Sequence, residues 1–186
     1  AIGNYTCDAI TSGDDNTAVG YQALSGETSG GQNTAIGKMA LKVSNGGNGN
    51  TAVGNQALDS VTTGDENTAV GSNAGTATTT GVDNIFIGES SGGSNQTGSY
   101  KTIVGSNADT NGNSDAHEII IGYNLTGGGQ NKIRMGTAGG FIENDYMNNA
   151  TWSYNSDERL KDNIQSDNLG LDFIKELRTV TYNWKA

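Results

Sequence analysis

The chain has 186 residues, enough for one ordinary domain or one long array, and a net charge of −10. That balance argues against nucleic acid and against anionic membrane surfaces as partners, and no apolar run is long enough to span a bilayer. Leu, Ile, Val and Phe make up only 32 of the 186 residues, a share that with high net charge marks disorder rather than a packed core.

A strict period overrules the composition. Asn16-Thr17-Ala18-Val19-Gly20 returns as Asn33-Thr34-Ala35-Ile36-Gly37, Asn50-Thr51-Ala52-Val53-Gly54 and Asn67-Thr68-Ala69-Val70-Gly71. It then drifts to Asn84-Ile85-Phe86-Ile87-Gly88, Lys101-Thr102-Ile103-Val104-Gly105 and Glu118-Ile119-Ile120-Ile121-Gly122. The closing glycines stand at 3, 20, 37, 54, 71, 88, 105 and 122, always 17 apart. A fixed period of this kind marks a stacked array, in which neighbouring coils supply the burial that one coil lacks. Ala1-Ile2-Gly3 is already mid-repeat, so the chain reads as a piece of a longer polypeptide.

A second glycine column runs through Gly13, Gly30, Gly47, Gly64, Gly81 and Gly98, with Asp115 in the last coil. Two glycines per coil predict two bends at positive φ, joined by short β-prone pieces such as Thr17-Ala18-Val19 and Tyr21-Gln22-Ala23-Leu24. With no Pro anywhere, no backbone N–H is missing from the ladders. Stacked in parallel at about 4.8 Å per coil, seven coils rise roughly 34 Å. Val19, Ile36, Val53, Val70, Ile87, Val104 and Ile121 then form an aliphatic stripe beside an Ala column that enlarges to Phe86, Ile103 and Ile120. The Asn column predicts an amide ladder at a turn, where Asn also tolerates left-handed geometry. A coil lined with Ala buries little alone. It gains most if the stripe faces identical copies across an axis, most simply in a parallel homotrimer.

The repeats resemble the heads of trimeric autotransporter adhesins and, more closely, the 17-residue arrays of phage tail fibres. The resemblance covers about two-thirds of the chain. It implies an all-β fibre of parallel β-roll or β-helix type, assembled as a homotrimer. A roll built by each chain and an interwoven triple β-helix remain alternatives.

The chain divides by pattern into an array at 1–122, an irregular last repeat and neck at 123–155, and a short α/β segment at 156–186. Gly127-Gly128-Gly129 interrupts the period, and Lys132-Ile133-Arg134-Met135-Gly136 resumes it 14 residues after Gly122. Farther on, Asp167 or Asn168 predicts a helix cap ahead of Leu169, Phe173, Ile174 and Leu177 at helical spacing. Val180, Tyr182 and Trp184 alternate as in a strand.

Ser156-Asp157-Glu158-Arg159-Leu160-Lys161-Asp162-Asn163-Ile164 resembles the opening of the C-terminal intramolecular chaperone of endosialidases, phage tail spikes and neck appendages. Phe173-Ile174-Lys175-Glu176-Leu177-Arg178 and Tyr182-Asn183-Trp184-Lys185 fit the same family. The resemblance implies a domain that drives trimerisation of the fibre before it and then cuts itself off between Asn155 and Ser156. Ser156 would be the nucleophile and Lys161 its general base, with Asp157 and Arg159 in supporting, salt-bridging roles. A serine hydroxyl needs a base to take its proton, and lysine serves only when burial lowers its pKa, which couples cutting to folding. The stretch also reads as a helix N-cap with a solvated Lys161; its extent and its place after the array favour the chaperone. The family's domain runs beyond the 31 residues from Ser156 onward, so the dyad is expected to be incomplete here.

Other signals are weaker. Cys7 occupies the column of Leu24, Leu41 and Leu58 and reads as a small buried hydrophobe. His117 reads as a surface residue. Asp14-Asp15, Asp65-Glu66 and Asp83 recur at one corner but lack a calcium-repeat spacing and read as solvated turns. No metal and no cofactor is expected. Two functions follow: a viral tail-fibre or spike segment on a virion, or a cell-surface, adhesin-like fibre that binds glycans. For the second, Tyr5, Tyr21, Phe86, Tyr100 and Tyr123 are the aromatic candidates, and they form no column. A flat Thr stripe for ice or surface binding begins at Thr17, Thr34, Thr51 and Thr68 but is broken by Ile85 and Ile119.

Overall fold

The computed structural model describes residues 1–148 and 153–154. The chain divides into two compact units, Ala1–Asn155 and Ser156–Ala186, and every described residue lies in the first. The predicted helix and strand beyond residue 167 fall outside the described residues.

Each Thr-Ala-Val-type segment forms a three-residue strand: β1 (Thr17–Val19), β2 (Thr34–Ile36), β3 (Thr51–Val53), β4 (Thr68–Val70), β5 (Ile85–Ile87) and β6 (Thr102–Val104). β7 (Ile119–Tyr123) extends to five residues. They pair in parallel and in sequence order, with Ala18 beside Ala35, Ala35 beside Ala52 and so on to Ile120. The result is an all-β solenoid with a 17-residue period, and no helix occurs among the described residues. Neighbouring strands belong to the same chain, the arrangement of a roll wound by each chain.

Within a strand only the central side chain points inward. Ala18, Ala35, Ala52, Ala69, Phe86, Ile103 and Ile120 are buried, joined by Ala23, Ala40, Ala57 and Ala74 and by Leu24, Leu41 and Leu58. The aliphatic stripe points outward, with Ile36, Val70, Ile87 and Ile121 each about 40% exposed. Cys7 is half-buried against this core, and burial pushes its thiol pKa up, the amino terminus lowering it and Asp8 raising it.

The predicted second β piece is instead a turn. Gln22 and Leu24 have φ of 54° and 53°, and the pattern recurs at Gln56 and Leu58. A left-handed leucine is costly, and here the full burial of its side chain offsets the strain. Of the two glycine columns, the first has the expected positive φ and the second does not. In the first, φ is positive, 144° at Gly54, and an added Cβ would lie 2.6 Å from the Gly71 carbonyl carbon. The second column is not left-handed. It is glycine because coils stack tightly there: a Cβ on Gly47 would lie 2.6 Å from Gly64 O. The left-handed residue near the Asn column is the one before it, Asp15, Gln32, Glu66 or Asp83, not the Asn itself.

The asparagines form a buried ladder. Asn33, Asn50, Asn67 and Asn84 are fully buried. Each Nδ2 donates to a second-column glycine carbonyl, as from Asn50 to Gly64 O at 2.8 Å. Each Oδ1 accepts the backbone N–H of the same position in the next coil, as from Asn67 to Asn50 at 3.0 Å and, at the end of the ladder, from Lys101 to Asn84 at 3.1 Å. One carboxamide thus satisfies two backbone groups that the alanine-lined interior leaves without water.

Two departures from the repeat are compensated locally. Phe86 enters the alanine column where Gly75 and Gly92 replace the leucines, and a Cβ on either glycine would collide with its ring, at 2.6 Å from Cδ2 for Gly75. Glu27 is fully buried. Its Oε1 accepts N–H groups of Thr28, Ser29, Gly30 and Gly46, and its Oε2 accepts the Ser44 hydroxyl at 2.7 Å. Burial pushes its pKa up, but the hydrogen bonds from Ser44, Gly30, Gly46 and Ser29 together hold it below its ordinary value.

The array ends in order. β8 (Lys132–Thr137) stacks parallel on β7 with Gly122 beside Gly136, so a 14-residue coil keeps the register. β9 (Gly140–Asp145) then turns back antiparallel on β8, and β10 (Ser153–Tyr154) pairs antiparallel with β9. Arg134 lies 4.3 Å over the Phe141 ring and shares Glu143 with Lys132.

Two outcomes are expected in denaturant titrations. Phe86→Ala should cost about 3–5 kcal/mol, and adding Gly75→Leu and Gly92→Leu, which restores the pattern of earlier coils, should recover much of it. Because the folded pKa of Glu27 is depressed, its contribution is complete above the ordinary value of 4.5 and is lost as pH falls through the folded value. Glu27→Gln should therefore flatten the acid limb of the stability profile, and an unchanged acid limb would show that Glu27 does not carry it.

Candidate functional site

The sequence places chemistry at Asn155, Ser156, Asp157, Arg159 and Lys161, and all five lie outside the described residues. What the structure does place is the approach to them. β10 ends at Tyr154, with Ser153 paired to Glu143 and Tyr154 to Ile142. The backbone is therefore held in the sheet up to the residue before Asn155. The division between the two compact units falls at the Asn155–Ser156 bond.

At the C-terminal end of the array the Asn column gives way to Lys101 and Glu118. Both are fully buried, with Lys101 Nζ 3.5 Å from Glu118 Oε2. Thr110 Oγ1 bridges them, accepting from Lys101 and donating to Glu118 at 2.8 Å. Lys101 also donates to Gly112 O at 3.2 Å, and Glu118 Oε1 accepts Gly129 N at 2.9 Å. Burial lowers the Lys101 pKa, while Glu118 and Asp115 pull it back up. With these acceptors around it, the ammonium is a structural cation. Opposite charges in adjacent places of one column were the sequence signal for this pair, and sequence reasoning passed over it.

The surface columns sort by chemistry. At the corner before the asparagines, Asp65 Oδ1 accepts Asn48 N at 2.7 Å, and Asn48 Oδ1 accepts Gly31 N at 2.9 Å. These polar side chains cap backbone groups of the coil below. Among the described residues no group of His, Cys, Asp and Glu is arranged to hold a metal ion. Another face carries hydroxyls that donate to the next coil, as from Thr62 to Thr79 O and from Thr79 to Gln96 O, both at 3.1 Å.

The aromatics fall differently from the sequence expectation. Phe86 is buried and is no surface candidate. Tyr100 and His117, in one column, stack at 5.0 Å with 11° between their planes. The Tyr146 hydroxyl donates to the His117 carbonyl. Tyr100 is 52% and Tyr146 45% exposed. Tyr5 and Tyr21 meet edge to face at 6.0 Å near the other end.

Fold and surface define a β-solenoid with an ordered interior and an uncharged outward sheet face. Comparison with known proteins adds the second element: residues 156–186 match the family model described as the chaperone of endosialidase. A β-solenoid followed directly by such a segment is consistent with a phage fibre carrying the start of a C-terminal chaperone. No curated protein and no solved structure matches the chain.

Proposed function

We propose that this chain is the β-fibre segment of a phage tail fibre or spike, a virion appendage for host attachment. It is followed by an intramolecular chaperone that drives homotrimer formation and cuts at Asn155–Ser156. The observation that carries this is the chaperone match, which begins at Ser156, immediately after the solenoid. Ser156 Oγ attacks the Asn155 carbonyl while Lys161 takes its proton. Lys161 returns that proton to the Ser156 nitrogen, which leaves as an amine, and water then hydrolyses the ester formed between the Asn155 carbonyl and Ser156 Oγ. Asp157 and Arg159 position the pair. The reaction is a single turnover and needs no cofactor.

Support for a second reading, glycan binding by an adhesin-like fibre, comes from the exposed Tyr100–His117 stack beside Tyr146. Aromatic faces and edges with polar neighbours suit sugar recognition.

Intact mass of the full-length protein tests the first reading. Wild type should yield a fragment beginning at Ser156, and Ser156→Ala should leave the chain whole. An uncut wild type would sink the protease claim. For the second reading, Tyr100→Ala with His117→Ala should lower binding to host-cell polysaccharide at least tenfold in a pull-down, with the fold retained by circular dichroism. Undiminished binding would remove that site.

A further inference from the structure

Three Asn-Gly pairs occur in the chain: Asn45-Gly46, Asn48-Gly49 and Asn111-Gly112. In such a pair the glycine nitrogen can attack the asparagine Cγ, because the glycine carries no side chain to block the approach. The attack requires the peptide plane of the glycine to turn towards the carboxamide. Hydrogen bonds that hold either group therefore resist it.

The fold holds two of the three pairs. Gly46 N donates to the buried Glu27 Oε1 at 2.8 Å, and Asn45 Oδ1 accepts the Thr28 hydroxyl. Gly49 N donates to Gly31 O at 3.0 Å. The Asn48 carboxamide is tied at both ends, its Oδ1 accepting Gly31 N at 2.9 Å and its Nδ2 donating to Gly46 O at 3.0 Å. Asn111 is different. It is exposed, and neither its N–H nor its carboxamide makes a hydrogen bond among the described residues. Gly112 N has one partner, Thr110 Oγ1 in the same loop, at 3.3 Å.

Gly112 also supports the interior. It stands in the column of Glu27, Ser44, Val61, Thr78 and Asn95, which are fully buried. Its carbonyl accepts the Lys101 ammonium at 3.2 Å. The loop around it is tight: a Cβ on Gly112 would lie 2.5 Å from Asp115 Oδ2.

We propose that Asn111–Gly112 is a site of spontaneous backbone modification, where the chain cyclises, loses ammonia and opens to isoaspartate, and that this frees Lys101 from the Gly112 carbonyl. Gly112 N bonds to Asn111 Cγ and the Cγ–Nδ2 bond breaks. The proton displaced from Gly112 N leaves with Nδ2 as ammonia. Water then opens the five-membered imide. Opening at the Cγ carbonyl gives aspartate. Opening at the α-carbonyl gives isoaspartate, in which the main chain runs through Cβ and Cγ and is one carbon longer. That extra carbon displaces Gly112 O, and the new carboxylate repels Asp115. Lys101 keeps Glu118 and Thr110 but loses a neutral acceptor, and the coil loosens there.

Peptide mapping by mass spectrometry tests the site. One sample of the full chain is incubated folded at mildly alkaline pH, where Gly112 N gives up its proton more readily, and another in urea. In the folded sample Asn111 should gain about 1 Da roughly tenfold or more faster than Asn45 and Asn48, with isoaspartate identified by fragmentation. In urea the three should react at similar rates, because each is followed by glycine. Equal rates in the folded chain, or a faster Asn45 or Asn48, overturn the site. The same preference persisting in urea would belong to the local sequence and overturn the role of the fold. Denaturant titration tests the consequence. Aged wild type should unfold at lower denaturant than fresh protein, and Asn111→Ser should not change on ageing. An aged wild type that is modified at Asn111 but keeps its midpoint overturns the release of Lys101 and leaves the modification standing.

Discussion

The distance between coils is set by the buried asparagine ladder, and most of the chain's regularities follow from it. One carboxamide reaches up to a backbone N–H and across to a glycine carbonyl, at 2.8–3.0 Å in the central coils. Both contacts exist only if successive coils are one strand spacing apart and the glycine carbonyl stands close. That requirement removes the Cβ from the second glycine column. It also fixes the period, since an inserted residue would move the amide away from its two partners. An interior lined largely with alanine has little apolar area to offset an unsatisfied polar group, so the ladder must be complete.

Coils that break the rule do so in matched sets. Phe86 fills the space that Gly75 and Gly92 release. Lys101 and Glu118 replace two asparagines and neutralise one another through Thr110. Glu27 enters where Ser44 and four N–H groups can receive it. A slip of one coil would set Phe86 beside leucine rather than glycine and would part Lys101 from Glu118. A perfectly repetitive array has no such preference among registers. The exceptions give it one, at positions spread from one end to the other.

Much of this was legible in the sequence, because a 17-residue period read column by column reports which positions share an environment. The strands, the amide ladder and the alanine interior came from that reading. The second glycine column misled it, because close approach and positive φ both select glycine and only coordinates separate them. The piece at Tyr21–Leu24 misled it for the opposite reason: leucine is not expected at positive φ, and only its complete burial makes that tolerable. Phe86 looked like a surface aromatic until the two glycines beside it in space, but 11 and 6 residues away in sequence, were seen to make its pocket. The proposed cleavage site owes everything to the motif and its family match.

The alanine interior and the outward stripe are two sides of one constraint. A strand of three residues has one side chain to turn inward. Putting alanine there keeps the coil thin, and it leaves two positions per coil that solvent would favour as polar. Half of these are valine or isoleucine without exception. On the proposed homotrimer reading, the stability of one chain is thus bound up with its copies. On the proposed reading, an assembly segment tethered to the end of the array would raise the effective concentration of the copies, so that coils dock from one end and propagate. That division of labour would give a physical reason for such a segment to follow the solenoid in sequence.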